Sequence, residues 1–295
     1  MKLLFFGTAG SVPTKARGMP SIAIYHDGDI FMFDCGEGTQ RQMMQHSVSI
    51  AKVRAVFLTH IHGDHTIGIA GLVRTLTLTN RTKPLEIFIP EGGEKALETL
   101  IGFDKATINY RIIIRKVRSG EIYKGKDFSI SAFRLVHTAS TYGFVFKEND
   151  TVRFIKPKIK NLGLKGETFS TLLKKKHIKI NNKIIRLGDV STKKIGRKIV
   201  YATDTRPTKA TISAASNADI LVHESTYSDK ESNLAKERFH STAIEAADIA
   251  RKAKAKMLVI THPSARYKDA EVLAKEARKV FRNTQIAKDG MVINL

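Results

Sequence analysis

The chain has 295 residues, 42% of them hydrophobic and 26% charged, so it is long and apolar enough to bury a large core. This composition excludes a disordered chain, and a single cysteine excludes an internal disulfide framework. No apolar run approaches the roughly 18 residues that a membrane span needs. We therefore expect a cytoplasmic protein with no membrane partner.

The net charge of the chain is strongly positive and unevenly distributed. Fifty Lys and Arg residues against 28 Asp and Glu residues give +22. Residues 153–198 alone contain fifteen Lys or Arg and two acidic residues, a net charge of +13. A lysine-rich proteome would also give an excess, but it would spread that excess more evenly. The concentration in one stretch favours a polyanionic partner, because cations that bind phosphates release counterions.

Short β-branched and aromatic runs dominate the first half of the chain and predict strands. They cover residues 3–6, 21–25, 30–33, 55–58, 85–89, 112–117, 129–136 and 142–146. Helical spacing of apolar residues predicts helices at 66–78 and 92–101. After the basic stretch, strands at 198–202, 220–223 and 257–260 alternate with helices at 209–215, 242–254 and 270–280. This order indicates an α/β fold with two face-to-face sheets between helix layers, a four-layer αββα sandwich.

The basic stretch lacks a continuous apolar face. We therefore interpret residues 1–295 as a single domain that carries a protruding basic arm at 150–197 as an insertion, without a second core. Downstream of the arm, Thr242 with Glu245 three residues later forms a capping-box signature that predicts where a helix begins.

The strongest chemical signal is a histidine-rich segment directly after the predicted strand 55–58. It reads His60-Ile61-His62-Gly63-Asp64-His65, so three imidazoles and a carboxylate leave the strand within six residues. A strand exit of this kind lets several donors converge, and Zn²⁺ accepts nitrogen and oxygen donors. A histidine-rich surface turn is the alternative, but an apolar strand that aims three histidines at one place favours a metal site.

Three further polar residues, His137, Asp204 and His262, each follow a predicted strand. A single histidine in such a position is more often a structural residue than a ligand. Their common position, together with the histidine-rich segment, favours ligand roles for all three. With Asp204 as a shared carboxylate, the donors reach the number expected for two ions about 3.5–4 Å apart.

The metal motif resembles that of the metallo-β-lactamase superfamily, and further motifs resemble those of the short-form ribonuclease Z family, which processes tRNA 3′ ends. These further motifs are Phe5-Phe6-Gly7-Thr8, residues 33–42, residues 203–207, His223-Glu224-Ser225-Thr226, His240-Ser241-Thr242 and residues 261–267. They follow the family's order from near the beginning of the chain to its end.

The resemblance implies a zinc-dependent endoribonuclease that removes 3′ trailers from tRNA precursors and holds two Zn²⁺ per subunit. It implies two ligand sets joined by a bridging Asp204: His60, His62 and His137 for one ion, and Asp64, His65 and His262 for the other. It further implies that the arm grips precursor tRNA and that the protein is a homodimer. We expect no nucleotide cofactor.

The resemblance also assigns catalytic roles. Asp64 would orient the attacking water, and His240 would donate a proton to the leaving ribose 3′-oxygen. His240 precedes a helix start, whose dipole favours the neutral imidazole, while a nearby Glu224 would oppose that shift. The alternative for Glu224 is a buried hydrogen-bond anchor. Five cations suit phosphate contacts by their charge, although a solvated surface would carry them too: Lys15, Arg17, Lys174, Lys175 and Lys176.

Two other functions remain open from the sequence. A small-ester or thioester hydrolase of the same fold would share the metal motif, but it would leave the basic arm and His240-Ser241-Thr242 unexplained. A non-catalytic RNA-binding protein would explain the charge, but it would be expected to lose some of the donors. Incubation with a 3′-extended tRNA, with and without a chelator, separates the three functions.

Overall fold

The computed structural model describes residues 1–102, 107–162, 164, 166–180 and 183–295, so residues 163, 165, 181 and 182 of the predicted arm lie outside the description. The chain divides into two compact units: Met1–Phe146 with Lys198–Leu295, and Lys147–Arg197. We call the first the main unit and the second the basic unit. The basic unit begins slightly before the predicted arm.

The main unit contains two sheets of seven strands each within the described residues. The first sheet consists of β1 (Lys2–Gly7), β2 (Ser21–His26), β3 (Asp29–Phe33), β4 (Val53–Phe57), β5 (Leu85–Pro90), β6 (Ile112–Val117) and β18 (Val292–Asn294). The second consists of β7 (Gly120–Lys124), β8 (Phe128–Arg134), β9 (Tyr142–Glu148), β14 (Lys198–Ala202), β15 (Ile220–Glu224), β16 (Leu258–Thr261) and β17 (Thr284–Ile286). In both sheets the strands that precede the predicted metal donors include parallel pairs, so their carboxyl ends meet at one edge.

Helices pack on the outer faces of the two sheets. They are α1 (Thr39–Gln45), α3 (Gly68–Leu78), α4 (Glu94–Gly102), α8 (Lys209–Ala214), α10 (Ala243–Lys252) and α11 (Glu271–Arg278). Two further helices of the main unit, α2 (Gly63–Thr66) and α9 (Ser232–Glu237), lie in the connections after β4 and β15. One apolar cluster joins the first sheet to α3, and another joins the second sheet to the alanine face of α10. A third, rich in phenylalanine, lies between the sheets. The predicted four-layer αββα sandwich is therefore confirmed.

Most predicted elements of the main unit are present, and the errors concern short ones. The capping box of Thr242 and Glu245 starts α10 as predicted. Strands β7, β17 and β18 and helix α9 were not predicted. Strand β18 pairs with β1, and almost the whole chain separates the two strands. No local sequence pattern predicts such a pairing. Among the described residues, no helix is both long enough and apolar enough to cross a membrane.

The basic unit is formed from short elements. They are β10 (Thr151–Phe154), α5 (Lys156–Asn161), α6 (Glu167–Lys175), β11 (His177–Ile180), β12 (Lys183–Arg186), α7 (Leu187–Val190) and β13 (Ser191–Lys194). Strand β10 pairs with β13, and β11 pairs with β12, both in antiparallel fashion. The prediction that this stretch has no core is wrong, because Leu164, Leu172, Ile178 and Val190 are buried together. These residues come from separate elements, so no single segment shows an apolar face.

Candidate metal centre

All seven predicted metal donors meet at one edge of the main unit. The histidine-rich segment follows β4, and the other three donors follow β8, β14 and β16. They form four overlapping groups, in each of which the potential ligand atoms lie within 4.8 Å of one another: His60, His62 and His137; His60, His65 and Asp204; Asp64, His65 and His262; and His137, Asp204 and His240. The predicted convergence is thus present, and His240 lies beside it.

Asp204 occupies the middle of this arrangement. Its Oδ2 atom lies 2.7 Å from His65 Nε2 and 3.8 Å from His60 Nε2, and its Oδ1 atom lies 3.1 Å from His262 Nε2. The second carboxylate, Asp64, has its Oδ2 atom 3.5 Å from His65 Nε2 and 3.8 Å from His262 Nε2. Asp204 therefore contacts residues of both predicted ligand sets, as a bridging ligand must.

Three residues of the centre have left-handed backbone conformations directly beyond the ends of strands. The φ angles are 60° for Asp34, 49° for Asp204 and 62° for His262. A residue other than glycine adopts this conformation at a cost of about 1–3 kcal/mol, and such residues concentrate at functional sites. The turns are held here because the side chains of all three residues are buried and bonded inside the protein.

Asp34 is a buried carboxylate that orients two of the histidines. It accepts hydrogen bonds from the backbone N–H and hydroxyl of Thr59, at 2.8 and 2.9 Å. It also accepts them from His65 Nδ1 at 2.7 Å and from the Tyr201 hydroxyl at 3.0 Å. Because the Thr59 hydroxyl donates to Asp34, it accepts from His60 Nδ1, 3.0 Å away. Both imidazoles therefore carry their proton on Nδ1 and present Nε2 to the centre.

Glu224 repeats this construction on the other side of the centre. It accepts hydrogen bonds from His240 Nδ1 at 2.9 Å, from Thr205 N–H at 2.9 Å and from the Thr226 hydroxyl at 2.8 Å. The Thr226 hydroxyl accepts in turn from His262 Nδ1 at 3.0 Å. Glu224 thus serves one predicted ligand, His262, and one predicted proton donor, His240.

Sequence reasoning did not assign roles to Asp34, Thr59, Thr226 or Tyr201. One signal was present for Asp34, since it follows a strand directly, as the predicted donors do. A second was present for Thr226, which closes a motif that contains Glu224. The hydrogen bonds themselves join residues up to 167 positions apart and have no local pattern.

The protonation states of His60 and Asp204 suit metal binding. Burial, together with the neighbouring His65 imidazole, lowers the pKa of His60 well below its ordinary value, so His60 is neutral. Burial would raise the pKa of Asp204, but the His262 and His65 imidazoles hold it well below the ordinary value. Neutral imidazole and ionised carboxylate are the forms that bind a divalent cation. Burial would lower the pKa of His65, but the Asp34 and Asp204 carboxylates raise it well above its ordinary value, so a cation that binds there displaces a proton.

Glu224 opposes the neutral form of His240, as expected from the sequence. Burial alone would lower the pKa of His240, but the Glu224 carboxylate and the hydrogen bond to it, with Asp204 Oδ1 3.4 Å away, raise it to about 9. The net shift is thus towards the protonated imidazole. A direct carboxylate partner outweighs a dipole that is worth about 0.3–1 kcal/mol at an exposed site.

Two buried nitrogens show that the centre accommodates a cation. Within the described part of the chain, neither His65 Nε2 nor His262 Nε2 makes a hydrogen bond. In the neutral tautomer that donates from Nδ1, as a metal ligand does, each Nε2 would direct a lone pair towards Asp204, at 2.7 and 3.1 Å. A lone pair facing a carboxylate oxygen is repulsive, and a positive charge between them removes the repulsion. The donor set fits a divalent metal ion.

Two glycines let the Asp34 segment pack against the histidine-rich segment. A Cβ atom on Gly36 would lie 2.3 Å from the Asp64 carbonyl oxygen, and one on Gly68 would lie 1.9 Å from the Gly36 carbonyl oxygen. Any side chain at either position would therefore separate the two segments. This close approach positions Asp34 within reach of His65.

The five predicted phosphate-binding cations belong to two segments, a loop of the main unit and helix α6 of the basic unit. Arg17 Nη1 donates to the Thr8 hydroxyl at 2.7 Å and to the Ala287 carbonyl at 2.6 Å, so this guanidinium already has a role in its own loop. Lys15, in the same loop, is exposed. The lysine run at 174–176 belongs to the basic unit, where α6 ends, and all three residues are exposed.

Comparison with known proteins identifies the family. Residues 1–157 match the family model described as Anti-Pycsar protein Apyc1, and residues 175–263 match the one described as Beta-lactamase superfamily domain. Ribonuclease Z of Methanothermobacter thermautotrophicus is 38% identical over 297 residues, and the match covers 100% of this chain and 97% of that protein. Ribonuclease Z of Archaeoglobus fulgidus is 40% identical over 300 residues, with the same coverage.

The solved structures agree with these relatives. The short form of human tRNase Z superimposes with a TM-score of 0.74 at 25% identity, covering 100% of this chain and 99% of the human chain. The resemblance found in the sequence motifs is therefore confirmed. The chain belongs to the ribonuclease Z family within the β-lactamase superfamily, and its first 157 residues also belong to the family that the Apyc1 model describes.

Proposed function

We propose that this protein is a metal-dependent endoribonuclease that removes 3′ trailers from tRNA precursors, leaving a 3′-hydroxyl on the tRNA and a 5′-phosphate on the trailer. The observation that carries the proposal is the convergence of all seven donors in a chain that aligns along its full length with ribonuclease Z. The direct test is incubation of the purified protein with a 3′-extended tRNA transcript, with and without a chelator. Cleavage at the trailer junction that the chelator abolishes is the expected result.

We further propose that the centre holds two Zn²⁺ ions. Nitrogen and oxygen donors in this number suit Zn²⁺, and Asp204 contacts both ligand sets. His60, His62 and His137 would hold one ion, and Asp64, His65 and His262 the other, with Asp204 between them. When bound, such ions stabilise charge on a phosphate and make a water-derived nucleophile available at neutral pH.

Two side chains, Asp64 and His240, would orient the attacking water and protonate the leaving oxygen. Asp64 lies at the wall of the cleft, with its side chain 15% exposed, where it can accept a hydrogen bond from an attacking water and orient it. His240 donates its Nδ1 proton to Glu224, so its Nε2 is left to protonate the ribose 3′-oxygen as that oxygen leaves. Glu224 fixes the orientation of the imidazole and compensates its charge.

The exposed cations of the basic unit support a role in RNA binding. Lys174, Lys175 and Lys176 end helix α6 and face solvent, as phosphate-binding cations must. We propose that this unit grips the body of precursor tRNA, that Lys15 contacts a phosphate, and that the protein acts as a homodimer in the cytoplasm.

A protein that hydrolysed small esters but left precursor tRNA intact would instead be the alternative hydrolase of the same fold.

A further inference from the structure

The cleft that contains the metal donors has a second set of wall residues with no role in the proposed chemistry. Among them are Tyr227, Arg238 and Arg266. Tyr227 follows Thr226 beyond the end of β15, and Arg266 lies in the loop that begins with His262 after β16. Arg266 therefore shares its strand end with the donor His262, and Tyr227 shares its strand end with Glu224 and Thr226, which orient His262 and His240.

Arg266 makes a cation–π contact with Tyr227. Its guanidinium carbon is 5.0 Å from the centre of the Tyr227 ring. The tyrosine is almost fully buried, at 8% exposed, whereas the arginine side chain remains 44% exposed. The tyrosine thus supports one face of the guanidinium, and the accessible part of the arginine belongs to the cleft wall.

The guanidinium is held in this position by hydrogen bonds. Nη1 lies 2.6 Å from Glu231 Oε1, and Nε donates to the Ser264 hydroxyl at 3.2 Å. Glu231 is itself fixed, because it accepts from the Ser228 and Tyr267 hydroxyls. The charge of Arg266 is therefore compensated and two of its nitrogens already have partners. A guanidinium fixed in this way is suited to act as a planar surface for stacking.

We propose that Arg266, supported by Tyr227, is a stacking platform for the unpaired base of the nucleotide on the 5′ side of the scissile bond. Proteins that recognise single-stranded RNA stack unpaired bases on arginine planes. The 5′ side is favoured because His240, which would protonate the 3′-oxygen of that nucleotide, has its ring centre 6.0 Å from that of Tyr227. This inference rests on the proposed function and adds a stacking contact with the base of the last nucleotide that the tRNA retains.

The test combines a change in the protein with a change in the substrate. Cleavage of a precursor with an abasic site at the last retained nucleotide is compared with cleavage of the intact precursor. For the wild type, removal of the base is expected to lower kcat/KM about tenfold, towards the lower end of the range for base stacking. Arg266→Lys keeps the charge but loses the plane, so it should cleave the intact precursor about tenfold more slowly and show no further loss on the abasic one.

Arg238→Lys is the matched control, because Arg238 lines the same cleft and contacts Glu237 at 3.6 Å. This variant should show the same loss of kcat/KM on the abasic precursor as the wild type does. Glu231→Gln leaves Arg266 intact but weakens its support, so it should reduce the effect of the base. If Arg266→Lys still cleaves the abasic precursor tenfold more slowly than the intact one, the proposed stacking on Arg266 is wrong. It is also wrong if only an abasic site on the trailer side lowers kcat/KM.

A second measurement separates this inference from the proposed function. 2-Aminopurine at the last retained nucleotide loses fluorescence when it stacks, and EDTA prevents cleavage during the titration. Quenching on binding is expected for the wild type and for Arg238→Lys, and its loss for Arg266→Lys, with melting temperature and metal content as checks on folding. A protein that cleaves precursor tRNA without any quenching overturns the platform alone, and one that neither cleaves nor binds it overturns both proposals.

Discussion

The metal centre and the basic unit are constructed in opposite ways. In the metal centre, buried carboxylates each accept several hydrogen bonds, and Asp34 and Glu224 are fully buried. In the basic unit, a core of four buried apolar residues supports a surface on which the lysines at 174–176 are exposed. The hydrogen bonds of the metal centre fix the positions of the donor atoms relative to one another. The exposed lysines of the basic unit present positive charge to solvent.

This difference predicts different responses to mutation. A buried array is sensitive to each of its members, since removing one partner leaves another buried polar group unpaired. Exposed cations make small, nearly additive contributions that salt screens.

The largest effect is expected from removing a donor. His62→Ala opens one ligand set, so the variant should lose bound metal and, with it, detectable cleavage of precursor tRNA. Metal content by mass spectrometry and cleavage of a 3′-extended transcript measure the two losses. His177→Ala is the control, because His177 is exposed in the basic unit and should keep both properties. Cleavage by metal-free protein would contradict the proposed chemistry.

Removal of His240 should separate chemistry from metal binding. His240→Ala takes away the proposed proton donor while all seven donors remain, so kcat should fall by about 10²–10⁴-fold with metal content unchanged. Single-turnover cleavage and metal analysis of the same preparation check both points. His240 also lies in a group with His137 and Asp204, so loss of metal from the variant would identify it as a ligand instead.

An intermediate effect is expected from Asp34, which contacts the centre only through histidines. Asp34→Asn keeps the size of the side chain but weakens the bond that orients His65, so metal affinity or activity should fall by about 10–100-fold. Metal affinity measured by competition with a chelating dye is the readout. An unchanged affinity would mean that packing alone orients the histidine.

A smaller effect is expected from Thr226, which links His262 to Glu224. Thr226→Val removes the hydroxyl at nearly constant volume, so metal affinity should fall by less than in Asp34→Asn, since only one predicted ligand, His262, loses its partner. Thr226→Ser keeps the hydroxyl and should restore the affinity. Equal affinities in the Val and Ser variants would assign the role of Thr226 to packing.

The sequence predicted the positions of the donors well because each one directly follows an apolar strand that its composition reveals. It could not predict Asp34 and Thr226 as orienting residues, since their histidine partners lie 31 and 36 positions away and become neighbours only when β3 pairs with β4 and β15 pairs with β16. The core of the basic unit was missed for a related reason: Leu172 and Ile178 stand on either side of the lysine run at 174–176 and only pack together in the folded unit. Strand β18 likewise depends on β1, at the other end of the chain.

The smallest effect per residue is expected in the basic unit. Substitution of Lys174, Lys175 and Lys176 by Ala removes three exposed cations without touching a donor, so affinity for precursor tRNA should fall while metal content stays constant. The dependence of log affinity on log salt should flatten by about 0.7–0.9 for each phosphate contact that is lost. Hydrolysis of bis-p-nitrophenyl phosphate should not change, because that substrate is too small to reach beyond the metal centre.

A matched variant makes this last comparison quantitative. Lys95, Lys124 and Lys126 are also exposed, but they belong to the main unit, so their replacement by Ala removes the same charge elsewhere. If the basic unit grips tRNA through phosphates, only the first triple variant should flatten the salt dependence. Equal changes in both variants would mean that net charge alone attracts the RNA, and unchanged binding in both would mean that the lysine run is a solvated surface. A loss of phosphodiester hydrolysis in the first variant would instead connect the basic unit to the metal centre, and the contrast between the two regions would fail.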